Sequence, residues 1–294
     1  MLKLGILDFD TSHVVQFARR LNRVGVEEDQ WVDGARITHG WPGTSRIMPE
    51  RIPGFAKTLG EECGVALVDK LEDLLGKVDG VLIESNDGSI HLERARPFLE
   101  AGIPVFIDKP FALSVKDAEA IANLAARKNL PIFSSSSLRF APEVQDIVLR
   151  RDELGAPVAV HALGPQSGGY TAGWFFYAIH AVETLFALMG GPGHGDIQYL
   201  RAELAEHAVT RFNSGALGSV SVSPKGGHPY AFTYVGEKQT VTARIDTKNI
   251  YRELLKRIVA TFQTGKAPIP IEETLGVIRF LEDVNRAGAE RPAS

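Results

Sequence analysis

Val105-Phe106-Ile107-Asp108-Lys109-Pro110-Phe111 is the stretch on which the reading of this chain turns. Val105 to Ile107 reads as a short buried strand, and Pro110 fixes the direction in which the chain leaves it. A lysine at the carboxyl end of a strand in an open α/β sheet points into the crevice where such sheets bind ligands. Lys109 is therefore the first candidate for chemistry, flanked by Asp108 and Pro110.

Outward from this strand, short apolar runs alternate with helical patterns. Toward the amino terminus these are a strand Leu2 to Leu7, a helix Ser12 to Val24, a strand Ala35 to His39 and a helix Arg51 to Cys63. A short helix Leu71 to Lys77, a strand Gly80 to Glu84 and a helix Ile90 to Ala101 follow. On the other side come a helix Val115 to Lys128 and a strand Pro131 to Ser135. Strands separated by helices of this length imply right-handed crossovers and a doubly wound parallel sheet of Rossmann type, expected over 1–140.

After Phe140 the pattern changes to strand candidates at Val158-Leu163, Ile197-Leu204, His207-Phe212, Ala216-Ser223, Tyr230-Val235 and Thr240-Asp246. Turn residues such as Asn213-Ser214-Gly215 and Gly236-Glu237-Lys238 predict antiparallel pairing of consecutive strands. An α+β domain with a large, mostly antiparallel open sheet is expected over 141–294. The last two helices, Asn249 to Thr264 and Ile271 to Ala287, close the chain, and the final one is expected to pack back on the first domain.

Composition narrows the class. The 32 basic and 36 acidic residues are interspersed and leave a net charge of −4, which excludes a basic surface for nucleic acid. A single cysteine, Cys63, provides no disulfide framework. No apolar run is long enough to span a bilayer, and Met1-Leu2-Lys3 enters a strand directly, so a cytoplasmic location without membrane contact is expected. The exposed face of an open sheet predicts a homodimer or homotetramer.

In order and spacing these segments resemble the glucose-fructose oxidoreductase, inositol dehydrogenase and MocA-like (Gfo/Idh/MocA) family over nearly the whole chain. Asp108-Lys109-Pro110 looks like a conservative variant of that family's Glu-Lys-Pro motif. Glu84-Ser85-Asn86 with His91 is similar to the segment preceding it, and Phe133 to Ser137 with Leu138-Arg139-Phe140 and Pro142 to its exit from the nucleotide domain. The family's Asp-x-x-x-His pair aligns with Phe176 and His180. The resemblance implies hydride transfer between a sugar or polyol carbon and NAD or NADP, with Lys109 and His180 handling the hydroxyl proton. It places Ser85, Asn86, His91, Asp108, Lys109 and Pro110 at the cofactor, and Lys109, Arg139 and His180 at a small polar substrate. With Phe176 in place of the acid, aromatic contacts from Tyr170, Trp174 and Tyr177 are expected to take over part of substrate binding.

The departures are as informative. Leu4-Gly5-Ile6-Leu7-Asp8-Phe9-Asp10-Thr11-Ser12-His13 carries Asp8, Asp10 and His13 where a Gly-x-Gly-x-x-Gly turn has glycines. Phe9 to His13 would still face the pyrophosphate, but two carboxylates there repel it. At an effective dielectric of ~20, one like-charge pair ~4 Å apart costs on the order of 4 kcal/mol before screening. Asp10 or Ser12 is also a candidate cap for the helix that follows. After the second strand, Thr38-His39-Gly40-Trp41-Pro42-Gly43 lacks the acid that usually holds the ribose, whereas Ser45 and Arg46 suit a 2′-phosphate. A member of the family that keeps the fold without nicotinamide turnover, as a lyase, an isomerase or a binding module, is the alternative. Asp8, Asp10, His13, His91, Asp108 and His180 share no metal-ligand spacing, and no metal is expected.

Overall fold

The computed structural model describes residues 1–166 and 172–289, and two compact units account for them. The first comprises Met1–Ala112, Lys116–Ser135 and Tyr251–Ile271; the second comprises Leu113–Val115, Ser136–Ile250 and the chain from Glu272.

The first unit is built on strands β1 (Leu2–Leu7), β2 (Ala35–Trp41), β3 (Ala66–Leu67), β4 (Gly80–Ile83), β5 (Val105–Ile107) and β6 (Ile132–Phe133). All pair in parallel, in the order β3-β2-β1-β4-β5-β6. β4 and β5 are buried on both faces, which is why they read as continuous apolar runs rather than alternating ones. Helices α1 (His13–Asn22), α2 (Ile52–Lys57), α3 (His91–Glu100) and α4 (Val115–Arg127) make the crossovers. Strand order reverses between β1 and β4, so the ligand crevice of such a sheet lies beyond the carboxyl ends of these two strands.

In the second unit, α5 (Pro142–Leu149) and α6 (Arg151–Leu154) lead into β7 (Pro157–Pro165). Helix α7 (Ala178–Met189), strands β8 (Gln198–Arg201), β9 (Glu206–Arg211), β10 (Leu217–Ser223), β11 (Ala231–Gly236) and β12 (Thr240–Arg244) follow. The sheet order is β12-β11-β7-β10-β9-β8, antiparallel except for β7 with β10. The expected turns do join β9 to β10 and β11 to β12, but β10 and β11 are not neighbours, because β7 inserts between them. Alternate residues of β7 are buried on the face that α7 covers, which gives the period of two.

Two helices remain, α8 (Ile250–Thr264) and α9 (Ile271–Ala289). α8 joins the first unit, and the final helix accepts a hydrogen bond at Glu282 Oε1 from the Val115 amide at the start of α4. A Cβ on Gly80, at the start of β4, would meet the Phe262 ring at 2.8 Å, and Tyr251 packs edge-on to His13 and Phe17. No helix among the described residues is long and apolar enough to cross a membrane.

Candidate active site

Asp8 stands directly after β1 with φ 60°, the left-handed conformation that a glycine would supply and that aspartate tolerates better than most residues. Its carboxylate is buried and accepts hydrogen bonds from Ser85 Oγ at 2.5 Å and Arg94 Nε at 3.2 Å. Gly43 passes so close, at φ 67°, that a Cβ on it would lie 2.1 Å from Asp8 Oδ1. Burial pushes the Asp8 carboxyl up to about 6 against the opposing pull of Arg94 and Ser85. Asp10 is raised as well, by burial, and accepts from Ser45 Oγ at 2.6 Å and the Asn86 amide at 3.0 Å.

The repulsion expected from these two carboxylates is thus met inside the protein. Both are turned onto donors of the β2 and β4 loops and of α3. Neither Asp10 nor Ser12 caps α1, contrary to expectation: Ser12 makes no capping hydrogen bond, and no acidic side chain sits in the first turn. The amides of Thr11 and Ser12 have no hydrogen-bond partner among the described residues. A helix amino terminus with free amides and no competing acid suits a phosphate group, so the turn fits a dinucleotide despite having lost its glycines.

Other candidates are engaged differently. Phe9 is core, its ring lying against Gly40, so only its backbone belongs to the turn, and that amide donates to Pro42 O at 2.8 Å. Trp41 donates from Nε1 to Asp69 O at 3.2 Å, and the Arg94 guanidinium lies 4.9 Å from its ring centre. Ser45 donates to Asp10, and Arg46, its side chain largely exposed, pairs with Asp87 at 3.0 Å. Asn86 Nδ2 donates to Asp10 O at 2.8 Å. His91 is fully buried between Ser85 O and Phe111 O, at 3.0 and 3.2 Å. It ties the loops after β4 and β5 together instead of facing a ligand, and burial holds its ring below the usual histidine range.

At the end of β5, Lys109 is buried, with Nζ 3.6 Å from Asp108 Oδ2, and a cis peptide bond joins it to Pro110. Asp108 Oδ2 also receives His13 Nδ1 at 2.8 Å. Burial pushes Asp108 up, but His13 and Lys109 outweigh this and hold it well below the usual carboxylate range. Glu84, at the end of β4, is held far above it by burial and by Asp108. The sequence reading found no ligand spacing, yet His13, Glu84 and Asp108 come together with one ligand atom from each within 4.8 Å of the others.

In the second unit, Ser136 Oγ lies 2.7 Å from His180 Nδ1, and Tyr177 and Tyr230 have ring centres 5.9 and 5.6 Å from the imidazole. Arg139 does not offer its guanidinium to a ligand: Nε donates to Glu183 at 2.7 Å and Nη1 to Glu273. Trp174 is likewise buried, its Nε1 donating to Glu206 at 2.6 Å, whereas Tyr177 is exposed. Tyr170 lies outside the described residues. Among the residues that sequence reasoning left out of the site are Glu84, Arg94 and Ser136. Glu84 and Ser136 follow β4 and β6 closely, a signal that was available; Arg94 gave none beyond its place three residues after His91.

A doubly wound parallel sheet with a helix amino terminus at its first turn and a buried lysine after β5 has the architecture of a Rossmann-type domain. Residues 47–135 match the Gfo/Idh/MocA model, described as "Oxidoreductase family, NAD-binding Rossmann fold". YceM of Salmonella typhimurium (strain LT2), whose name places it among oxidoreductases, is 29% identical over 174 residues. That match covers 57% of this chain and 54%, about half, of YceM. A probable dehydrogenase from Thermotoga maritima shares the fold with a TM-score of 0.79 at 17% identity, covering 99% of this chain and 98% of that one. A scyllo-inositol dehydrogenase from Lactobacillus casei, crystallised with NAD(H) and scyllo-inositol, has a TM-score of 0.75 at 15% identity, covering 98% and 96%. Residues 47–135 thus resemble the Gfo/Idh/MocA family, and the chain shares the fold of these solved dehydrogenase structures.

Proposed function

We propose that this protein is an NAD-linked dehydrogenase that oxidises a secondary hydroxyl of a sugar, polyol or related small polar molecule. The observation that carries this reading is Lys109, buried at the end of β5 beside the strand-order reversal of an NAD-binding family fold. The likeness to a scyllo-inositol dehydrogenase supports the substrate class.

The free amides of Thr11 and Ser12 hold the diphosphate, and Asn86, fixed by Asp10, lines the turn. When bound there, the nicotinamide supplies the carbon that accepts hydride. Lys109, beside the Asp108 carboxylate, polarises the substrate hydroxyl as an ammonium and, after releasing one of its own protons to solvent, takes up the hydroxyl proton at Nζ as the hydride leaves. In the second unit, His180, its Nδ1 against Ser136 Oγ, is the candidate proton-handling group by its resemblance to the family's histidine. Asp8 and Asp10 bind no ligand and shape the turn. Their internal pairing counts against a non-redox member of the family, whose support was the repulsion these residues would cause.

The test follows NADH formation at 340 nm with a panel of inositols, hexoses and sugar acids. Lys109→Ala is expected to lower kcat on the accepted substrate by ~10²–10⁴-fold, the usual contribution of an acid-base group. Wild-type protein inert with NAD on the whole panel, or a variant within tenfold of wild type, would overturn the proposal.

A further inference from the structure

We infer that His13, Glu84 and Asp108 form a binding site for a first-row divalent cation, of the Zn²⁺ or Mn²⁺ type, at the carboxyl ends of β4 and β5. His13 Nδ1 is 2.8 Å from Asp108 Oδ2 and 3.9 Å from Glu84 Oε2. Ligand atoms ~2.0–2.2 Å from a shared ion stand at such separations from one another.

A second observation is independent of this geometry. Glu84 is completely buried, yet among the described residues neither of its carboxylate oxygens has a hydrogen-bond partner, and Asp108 Oδ1 has none either. Buried carboxylate oxygens are normally satisfied, because leaving one bare forfeits its hydration for nothing. Three bare oxygens beside an imidazole nitrogen are what a metal centre presents without its ion. The surroundings suit one: Phe17 and Tyr251 pack on the His13 ring with centres 5.5 and 5.1 Å away and shield it from water. Lys109, 3.6 Å from Asp108, leaves a second carboxylate for the cation to neutralise. One imidazole with two carboxylates favours Zn²⁺, and after it Mn²⁺, over Mg²⁺, which prefers all-oxygen ligands and keeps its waters.

The experiment uses the full chain, stripped with a chelator and free of dinucleotide and substrate, so its result does not depend on the proposed dehydrogenase activity. Calorimetric titration with Zn²⁺ and with Mn²⁺ is expected to show one site per chain, with Mg²⁺ at least tenfold weaker. Glu84→Gln keeps the side-chain shape and is expected to weaken binding a hundredfold or more. His13→Gln is the second variant, and the melting temperature of each is checked for folding. A stoichiometric site whose affinity falls in either folded variant supports the inference. Absence of a site in wild-type protein, or a site unchanged in the folded variants and so located on other histidines, overturns it.

Discussion

Asp8 replaces the first glycine of a dinucleotide turn by taking on the conformation of a glycine, φ 60°, and by burying its charge against Arg94 and Ser85. This arrangement has a measurable cost. Its carboxyl is raised from 3.8 to about 6, so the folded protein binds a proton there that the unfolded chain has already released. Stability therefore falls as pH rises through about 6, and the loss is relieved below the unfolded value. Asparagine keeps the left-handed conformation and does not titrate. The stability of Asp8→Asn relative to wild type is expected to rise by about 1.4 kcal/mol between pH ~5 and ~7.5, read from urea unfolding at each pH. A difference that stays flat over this range would mean that Asp8 is ionised throughout. The sequence made the substitution of Asp8 and Asp10 for glycine plain but gave no view of their partners, because Ser45, Ser85, Asn86 and Arg94 lie 35 to 86 positions away.

At the scale of elements, the alternation of strands and helices is local and was legible, including the change of pattern after Phe140. The assignment of the closing helices was not, since both are amphipathic and neither states which sheet it covers. Packing of α8 on the first unit is tested at Gly80, where a Cβ would stand 2.8 Å from the Phe262 ring. Gly80→Ala is expected to destabilise the protein by ~1–3 kcal/mol, the usual cost of overpacking, measured as a lower urea midpoint with an unchanged slope. Phe262→Leu in the same chain should recover part of the loss; no recovery would place the strain elsewhere. The insertion of β7 between β11 and β10 is equally non-local, because turn residues specify only the hairpins on either side of it.

At the scale of the whole molecule, the first unit is assembled from three separate stretches of chain, 1–112, 116–135 and 251–271. A ligand held only by the folded unit stabilises it by mass action, by ~2.7 kcal/mol at a hundred times its Kd. NADH is therefore expected to raise the unfolding midpoint by several degrees, and NADPH by less, because Ser45 and Arg46 are engaged with Asp10 and Asp87. Equal shifts with both would show that these residues exchange partners for a 2′-phosphate. The sequence by itself determined the fold class, the succession of elements and the place of Lys109, since periodicity and strand-end position are properties of neighbouring residues. Only the tertiary structure decided that Asp8 and Asp10 turn onto internal donors, that Arg139 and Trp174 are tied up internally, and that His13 reaches Asp108 across 95 positions. Each of those outcomes depends on which groups the folded chain brings within hydrogen-bonding distance of a buried charge.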